Sequence, residues 1–336
     1  MSEVRRDIVT DTWVIIDTDE TQIPLIPAEI PDGSQPCPFC AGNEKLTPME
    51  IYALRTTGAP DQPGWQVRVV PNIKPILRIE GDLNKSGVGV YDMVTGTGAN
   101  EVIVETPDHT RNFADLPESQ MAKVIAVYRQ RIEDLHRDRR FRFILVFKNY
   151  GRLSGASTIA HTHTDLIALP ATPIRIKMKL KGALEYYGYK ERCLFCDIIE
   201  QEIEMGDRLI FKTDRFAVIA PYAARFPFEI LVIPRRHSYS FKQIEPAEID
   251  DLASVMKRVF QALRSALGDP PYNLVLADSP NLLPRSDYWR TIQNDYHWHI
   301  EIAPRLYRTS GFELGTGFYI NRFAPERAAA ILRSHI

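Results

Sequence analysis

No stretch of the 336 residues approaches the roughly 18 consecutive apolar residues that a membrane helix needs. No membrane partner is therefore expected. Residues Met1 to Arg6 lack the apolar centre of a signal peptide, and the expectation is a soluble, cytoplasmic protein. Neither sign of charge dominates: Lys and Arg number 41 against 43 Asp and Glu, with no block of like charge long enough to make a tail. A nucleic-acid partner is disfavoured on that ground. Cysteine is scarce. The four residues Cys37, Cys40, Cys193 and Cys196 all lie in C-x-x-C pairs. A reducing cytosol disfavours disulfides, so such pairs point to metal binding or redox chemistry. What is present is ample: 44% hydrophobic and 25% charged residues over this length suffice for two domains of ordinary size.

Placing the histidines beside the cysteines shows the same order twice. The first array is Cys37 and Cys40, then His109, then His161-Thr162-His163. The second is Cys193 and Cys196, then His237, then His297-Trp298-His299. Two homologous units are the economical reading, at residues 1–175 and 190–336, joined by Ala171 to Tyr187. Strand-like apolar runs flank each H-x-H: Phe143 to Phe147, Leu166 to Leu169 and Ile300 to Ala303. Helical spacing recurs over Ser119 to Leu135 and Pro246 to Leu267. Each half thus reads as antiparallel strands plus one long helix, an α+β class.

Zinc favours four soft or borderline ligands in a tetrahedron, and a C-x-x-C turn supplies two converging thiolates. Two histidines would complete each site: Cys37, Cys40, His109 and His161 in the first, Cys193, Cys196, His237 and His297 in the second. Closed four-ligand sites are structural. A redox pair or two buried thiols is the bland alternative for a lone C-x-x-C, and two matched arrays weaken it.

Alternate residues of a strand share a face, so His163 points the same way as His161 and can meet a substrate while its neighbour holds metal. A neutral imidazole attacks phosphorus, and the phosphoramidate it forms is labile enough to pass its group on. The stretch Asn149 to Thr158, rich in glycine and hydroxyls, offers donors to phosphate oxygens through Gly155, Ser157 and Thr158. The competing reading of His163 is a second metal ligand or a core histidine. His299, its positional twin, lacks that lead-in and reads as a remnant of duplication. His136 and His335 sit among charged residues and read as solvated.

The residues Arg6 to Ile16, Cys37-Pro38-Phe39-Cys40, Val70-Pro71-Asn72, Pro107-Asp108-His109, Phe147-Lys148-Asn149, Gly155-Ala156-Ser157, His161-Thr162-His163 and Phe312 to Gly317 resemble the galactose-1-phosphate uridylyltransferase family of the histidine-triad superfamily. The resemblance covers nearly the whole chain. It implies a tandem duplication of a histidine-triad-like domain, a homodimer with composite sites, and a ping-pong nucleotidyltransferase. In that pattern His163 attacks the α-phosphorus of a nucleotide donor. Asn149 and Ser157 hold nonbridging oxygens, and Phe39 and Asn72 flank base and ribose.

Two departures matter. Family transferases carry Gln two residues after the nucleophile, where this chain has Asp165. The Tyr-Glu pair that reads hexose hydroxyls aligns with Thr316 and Gly317, and the Gly315-Thr316-Gly317 form resembles the ADP-glucose and adenylylsulfate phosphorylase branch. The expected reaction moves AMP or UMP through a nucleotidyl-histidine from a nucleoside diphosphate sugar or adenylylsulfate to phosphate or a sugar 1-phosphate. The alternatives are a UDP-glucose–hexose-1-phosphate uridylyltransferase of galactose metabolism, or a zinc-stapled nucleotide-binding protein in which Asp165 has altered catalysis.

Overall fold

The computed structural model describes residues 2–23, 25–30, 36–156, 159–284 and 289–336. The first half runs β1 (Tyr52–Arg55), β2 (Trp65–Pro71), β3 (Ala99–Val104), helix α1 (Glu118–Leu135), β4 (Phe143–Tyr150) and β5 (His163–Leu169). Helices α2 (Ile174–Lys190) and α3 (Leu194–Met205) lead across the joining stretch. The second half then repeats the pattern as β6 (Leu209–Lys212), β7 (Phe216–Ile219), β8 (Ile230–Pro234), α4 (Pro246–Leu267), β9 (Tyr272–Ala277) and β10 (His299–Pro304). Three strands, a long helix and two strands occur twice, which is the duplicated α+β unit the resemblance implies.

The two halves meet inside one ten-stranded sheet of order β1-β2-β3-β5-β4-β9-β10-β8-β7-β6. Its main-sheet pairs are antiparallel, and the order reads the same from either edge. At the seam β4 pairs with β9, setting Asn149 opposite Asn273 and Phe147 opposite Val275. The largest apolar cluster draws residues from both halves.

The long helices form because their apolar residues recur at helical spacing. Met121, Val124, Ile125, Tyr128, Ile132 and Leu135 bury one stripe of α1. In α4 a capping box closes the first turn, with Glu245 accepting from the backbone of Glu248 and the Glu248 carboxylate accepting from the Glu245 amide, ahead of Pro246 at the first helical position. Both helices pack on the same sheet face. On β5 that face takes Thr164, Leu166 and Ala168, all fully buried. His163 and Asp165 therefore lie on the opposite face, since side chains alternate along a strand. Part of that second face is covered by α2, through Ile176, Leu180 and Ala183 against Phe143 and Phe195.

The expectation for His136 is corrected: it is buried rather than solvated, 5% exposed at the end of α1. Its carbonyl accepts from the Asn281 amide, which anchors the segment after β9 against the helix end. Among the described residues neither ring nitrogen has a partner. Burial, with the charge of Lys242 nearby, pushes its pKa from the ordinary 6.5 to about 4. The unfolded chain then takes up this proton first, so His136 removes stability as the pH falls from 6.5 towards 4. We predict that His136→Leu makes the drop in thermal midpoint over that interval shallower; an unchanged drop contradicts the assignment.

Candidate active site

Cys37, Cys40, His109 and His161 are brought together, one ligand atom from each lying within 4.8 Å of the others, and so are Cys193, Cys196, His237 and His297. The first ring of contacts is made by Nδ1. His109 Nδ1 lies 3.3 Å from Cys40 Sγ, and His161 Nδ1 lies 3.6 Å from Cys37 Sγ. His161 Nε2 meets the Thr106 carbonyl at 2.9 Å. A carbonyl only accepts, so Nε2 carries the proton and Nδ1 keeps its lone pair toward the thiols. His237 and His297 repeat this, with Nε2 on the carbonyls of Gln293 and Arg236 at 2.9 and 3.1 Å. Donor type, number and tautomer all suit a tetrahedral metal ion. Cys37 and Cys40 lie on the loop before β1, and His109 on the loop after β3, so one ion would tie both to the start of β5.

Phe39, inside the first C-x-x-C, faces both histidines of the motif, its ring centroid 6.1 Å from that of His161 and 5.3 Å from that of His163. The metal loop thus forms a wall of the His163 site. His163 donates Nδ1–H to the carbonyl of His161 at 2.6 Å, by the same logic that fixes the metal-binding tautomer. This leaves Nε2 as the nitrogen with the lone pair. A cleft beside the ring is lined by Lys148, Asn149, Gly151, Ala156 and Ile159. The Gly151 turn has φ of 79°, and a side chain there would meet Pro271 at 2.8 Å and Ala28 at 2.9 Å.

Beneath the strand, on the helix side, Lys148 is fully buried against Glu105 at 2.8 Å and also donates to Thr162 Oγ1 at 2.9 Å and the His163 carbonyl at 2.6 Å. Glu105 further accepts from Thr162, from Thr164 at 2.7 Å and from Tyr128 at 3.1 Å. Burial pushes the Glu105 carboxyl up, but the Lys148 charge and these donors outweigh it and hold it ionised. Removing one member of such a buried pair costs about 3–5 kcal/mol. The pair locks the backbone on which His163 is mounted. Sequence reasoning misses Lys148 and Glu105; the one signal is that Lys148 stands in the middle of Phe147-Lys148-Asn149.

Asp165 faces the same side as His163. Burial raises its pKa, partly offset by His163 and Lys148. Ser157 and Thr158 lie outside the described residues. Gly155 ends the short helical turn after β4 with φ of 80° and does not line the cleft. Asn72 sits just past β2, and its backbone N–H bonds the Asn100 carbonyl. Asn100 pairs with Ile167, four residues along β5 from His163, or about 13 Å by strand rise. Gly315 and Thr316 are exposed on the helix Gly311–Thr316, where Thr316 Oγ1 donates to the Phe312 carbonyl.

The second half preserves the frame and closes the site. Phe195 lies 5.2 Å from His299 as Phe39 does from His163. Lys179 of α2 reaches in to His299 Nε2 at 2.7 Å and pairs with Glu301, which also holds Arg225 at 2.8 Å. Ala277 stands across from His299. His299 is thus buried, with Lys179 against its Nε2.

Comparison with known proteins agrees with this arrangement. A model described as galactose-1-phosphate uridyl transferase, C-terminal domain, matches residues 179–311, and the N-terminal domain of a domain of unknown function, DUF4931, matches 77–172. ADP-glucose phosphorylase of Arabidopsis thaliana is 31% identical over 98% of this chain and 92% of its own length. The chain belongs to the galactose-1-phosphate uridylyltransferase family. A family member from Thermotoga maritima, galactose-1-phosphate uridylyltransferase, is 29% identical over 99% of this chain and 98% of its own. The crystal structure of the Arabidopsis ADP-glucose phosphorylase with bound ADP-glucose superposes with a TM-score of 0.81 at 28% identity, covering 99% of this chain and 98% of that one. Like the named members of its family, the chain is a nucleotidyltransferase.

The two thiol and imidazole clusters carry a direct prediction. Elemental analysis of the purified protein is expected to find two bound metal ions per chain, falling to one in Cys37→Ser. Absence of metal, with all four thiols open to alkylation, contradicts the ligand assignment.

Proposed function

We propose that this protein is a nucleotidyl phosphorylase of the ADP-glucose type, working in its first half, residues 1–175, through His163. The carrying observation is the His163 Nδ1–H bond to the His161 carbonyl, which commits Nε2 to the role of nucleophile. Nε2 attacks the α-phosphorus of the donor, forming an N–P bond as the bond from that phosphorus to the bridging oxygen breaks. Glucose 1-phosphate leaves with that oxygen. The ring becomes cationic on nucleotidylation, and the His161 carbonyl keeps the Nδ1 proton in place and offsets the charge. An oxygen of inorganic phosphate then attacks the same phosphorus, the N–P bond breaks, and ADP departs with the imidazole neutral again.

Asn149, with Ser157, donates to the nonbridging oxygens as negative charge grows there. Thr158 is a further donor to the phosphate oxygens, and Gly155 gives the lead-in its left-handed bend. Asp165 is a tuning group whose raised pKa limits charge repulsion with the phosphoryl oxygens. Phe39 packs one side of the nucleotide and Asn72 serves its far end. Zinc held by the two clusters supplies structure: it fastens the Phe39 loop and its counterpart beside α3. Gly315 and Thr316, exposed within one chain, fit a homodimer in which each copy completes the other's acceptor side. Choice of ADP-glucose over UDP-glucose follows the similarity to the Arabidopsis phosphorylase, and the lack of the Tyr-Glu pair at Thr316 and Gly317 argues against a strict galactose acceptor.

The decisive kinetic signature is a half-reaction. Labelled glucose 1-phosphate should exchange into ADP-glucose with no phosphate present, and faster than into UDP-glucose. Exchange that needs phosphate contradicts a covalent route, and preferential exchange into UDP-glucose, with galactose 1-phosphate as acceptor, favours the uridylyltransferase alternative.

A further inference from the structure

Asn273 of β9 belongs to the second half, yet it lies directly opposite Asn149 across the seam. Its Nδ2 donates to two acceptors, Asn149 Oδ1 at 2.7 Å and the Ser154 carbonyl at 2.9 Å. The second of these fixes the first. The Ser154 carbonyl can only accept, so the amide end of Asn273 that faces it must be the NH₂ group. That NH₂ also faces Asn149, and it therefore demands an oxygen there. Asn149 is left with its own NH₂ turned away from Asn273, on the side where the cleft beside His163 lies. An amide is otherwise nearly symmetric in shape, and nothing in its size stops it from turning its oxygen to the phosphate.

The geometry points to Asn273 as a positioning residue that sets the polarity of Asn149, so that the phosphoryl oxygens meet a donor and not a carbonyl. The second half, whose own H-x-H is closed off by Lys179, thereby serves the first. Ser154, three residues before Ser157, couples the same choice to the turn that leads into the site. This rests on the reading of Asn149 as a donor to the transferring phosphoryl group.

The test is a double-mutant cycle read in single turnover, as the rate of glucose 1-phosphate release from ADP-glucose. Asn273→Asp keeps the shape and offers only acceptors, so Asn149 turns its NH₂ toward the substitution and its oxygen to the cleft. The expected loss in rate is about 10²–10³-fold, the magnitude of removing one transition-state donor, with half-saturating donor concentration little changed. Asn273→Ala removes the constraint without reversing it and should lose less. Metal content and thermal midpoint establish that each variant is folded; should Asn273→Asp not fold, Asn273→Ala carries the cycle. On an Asn149→Ala background neither substitution should cost anything further. A loss that persists there shows that Asn273 acts by another route and overturns the inference, as does an Asn273→Asp enzyme of full rate when Asn149→Ala is slow. If Asn149→Ala itself is at full rate, the donor reading of Asn149 falls, and the inference with it.

Discussion

One backbone carbonyl, that of His161, links the two chemistries of the site. Its own side chain turns a lone pair toward the thiols of Cys37 and Cys40, and its carbonyl holds the Nδ1 proton of His163 at 2.6 Å. The imidazoles of His161 and His163 thus have opposite nitrogens available because each has the other nitrogen bonded to a carbonyl. Lys148 and Glu105 hold the same stretch from the core side. The position of Nε2 is therefore set by backbone and buried charge together, with little left to side-chain rotation.

Duplication supplied two such frames, and the structure shows how their surroundings differ. Phe195, His297 and His299 keep the ring-centre spacings of Phe39, His161 and His163, but Lys179 sits against His299 Nε2 and Glu301 is held by two cations. The β9 strand of the second half pairs with β4, so the sheet beneath the His163 cleft continues across the seam. Fusing the halves in one sheet gives the first half an anchored inner edge where an isolated unit would leave β4 unpaired.

Much of this is legible in the amino-acid sequence. The repeated arrays of cysteine and histidine announce the duplication and the two thiol and imidazole clusters, because ligand chemistry leaves few residue types to choose from. The helices over 119–135 and 246–267 are plain from apolar spacing, and the structure moves the first start by only one residue. What stays hidden depends on strand register and on the path of the chain. Asn273 has no local signature; it matters only because it falls opposite Asn149. Lys179 lies in a stretch that reads as a connection, yet α2 folds back to bring it to His299. His136 reads as solvated because charged residues flank it, yet its own ring turns into the core. The match of Asp165 with Glu301, each two residues past the second histidine of its H-x-H, is visible in sequence and shows that the carboxylate accompanies both copies of the motif.

The central claim is that a nucleoside monophosphate resides covalently on one imidazole. The most direct measurement is to mix the protein with ADP-glucose labelled in the α-phosphate, quench in base, and map the label by peptide mass spectrometry. The account predicts an acid-labile, base-stable AMP adduct on the peptide containing His163, discharged by added phosphate. Label on His299, or turnover without any protein-bound label, would contradict it.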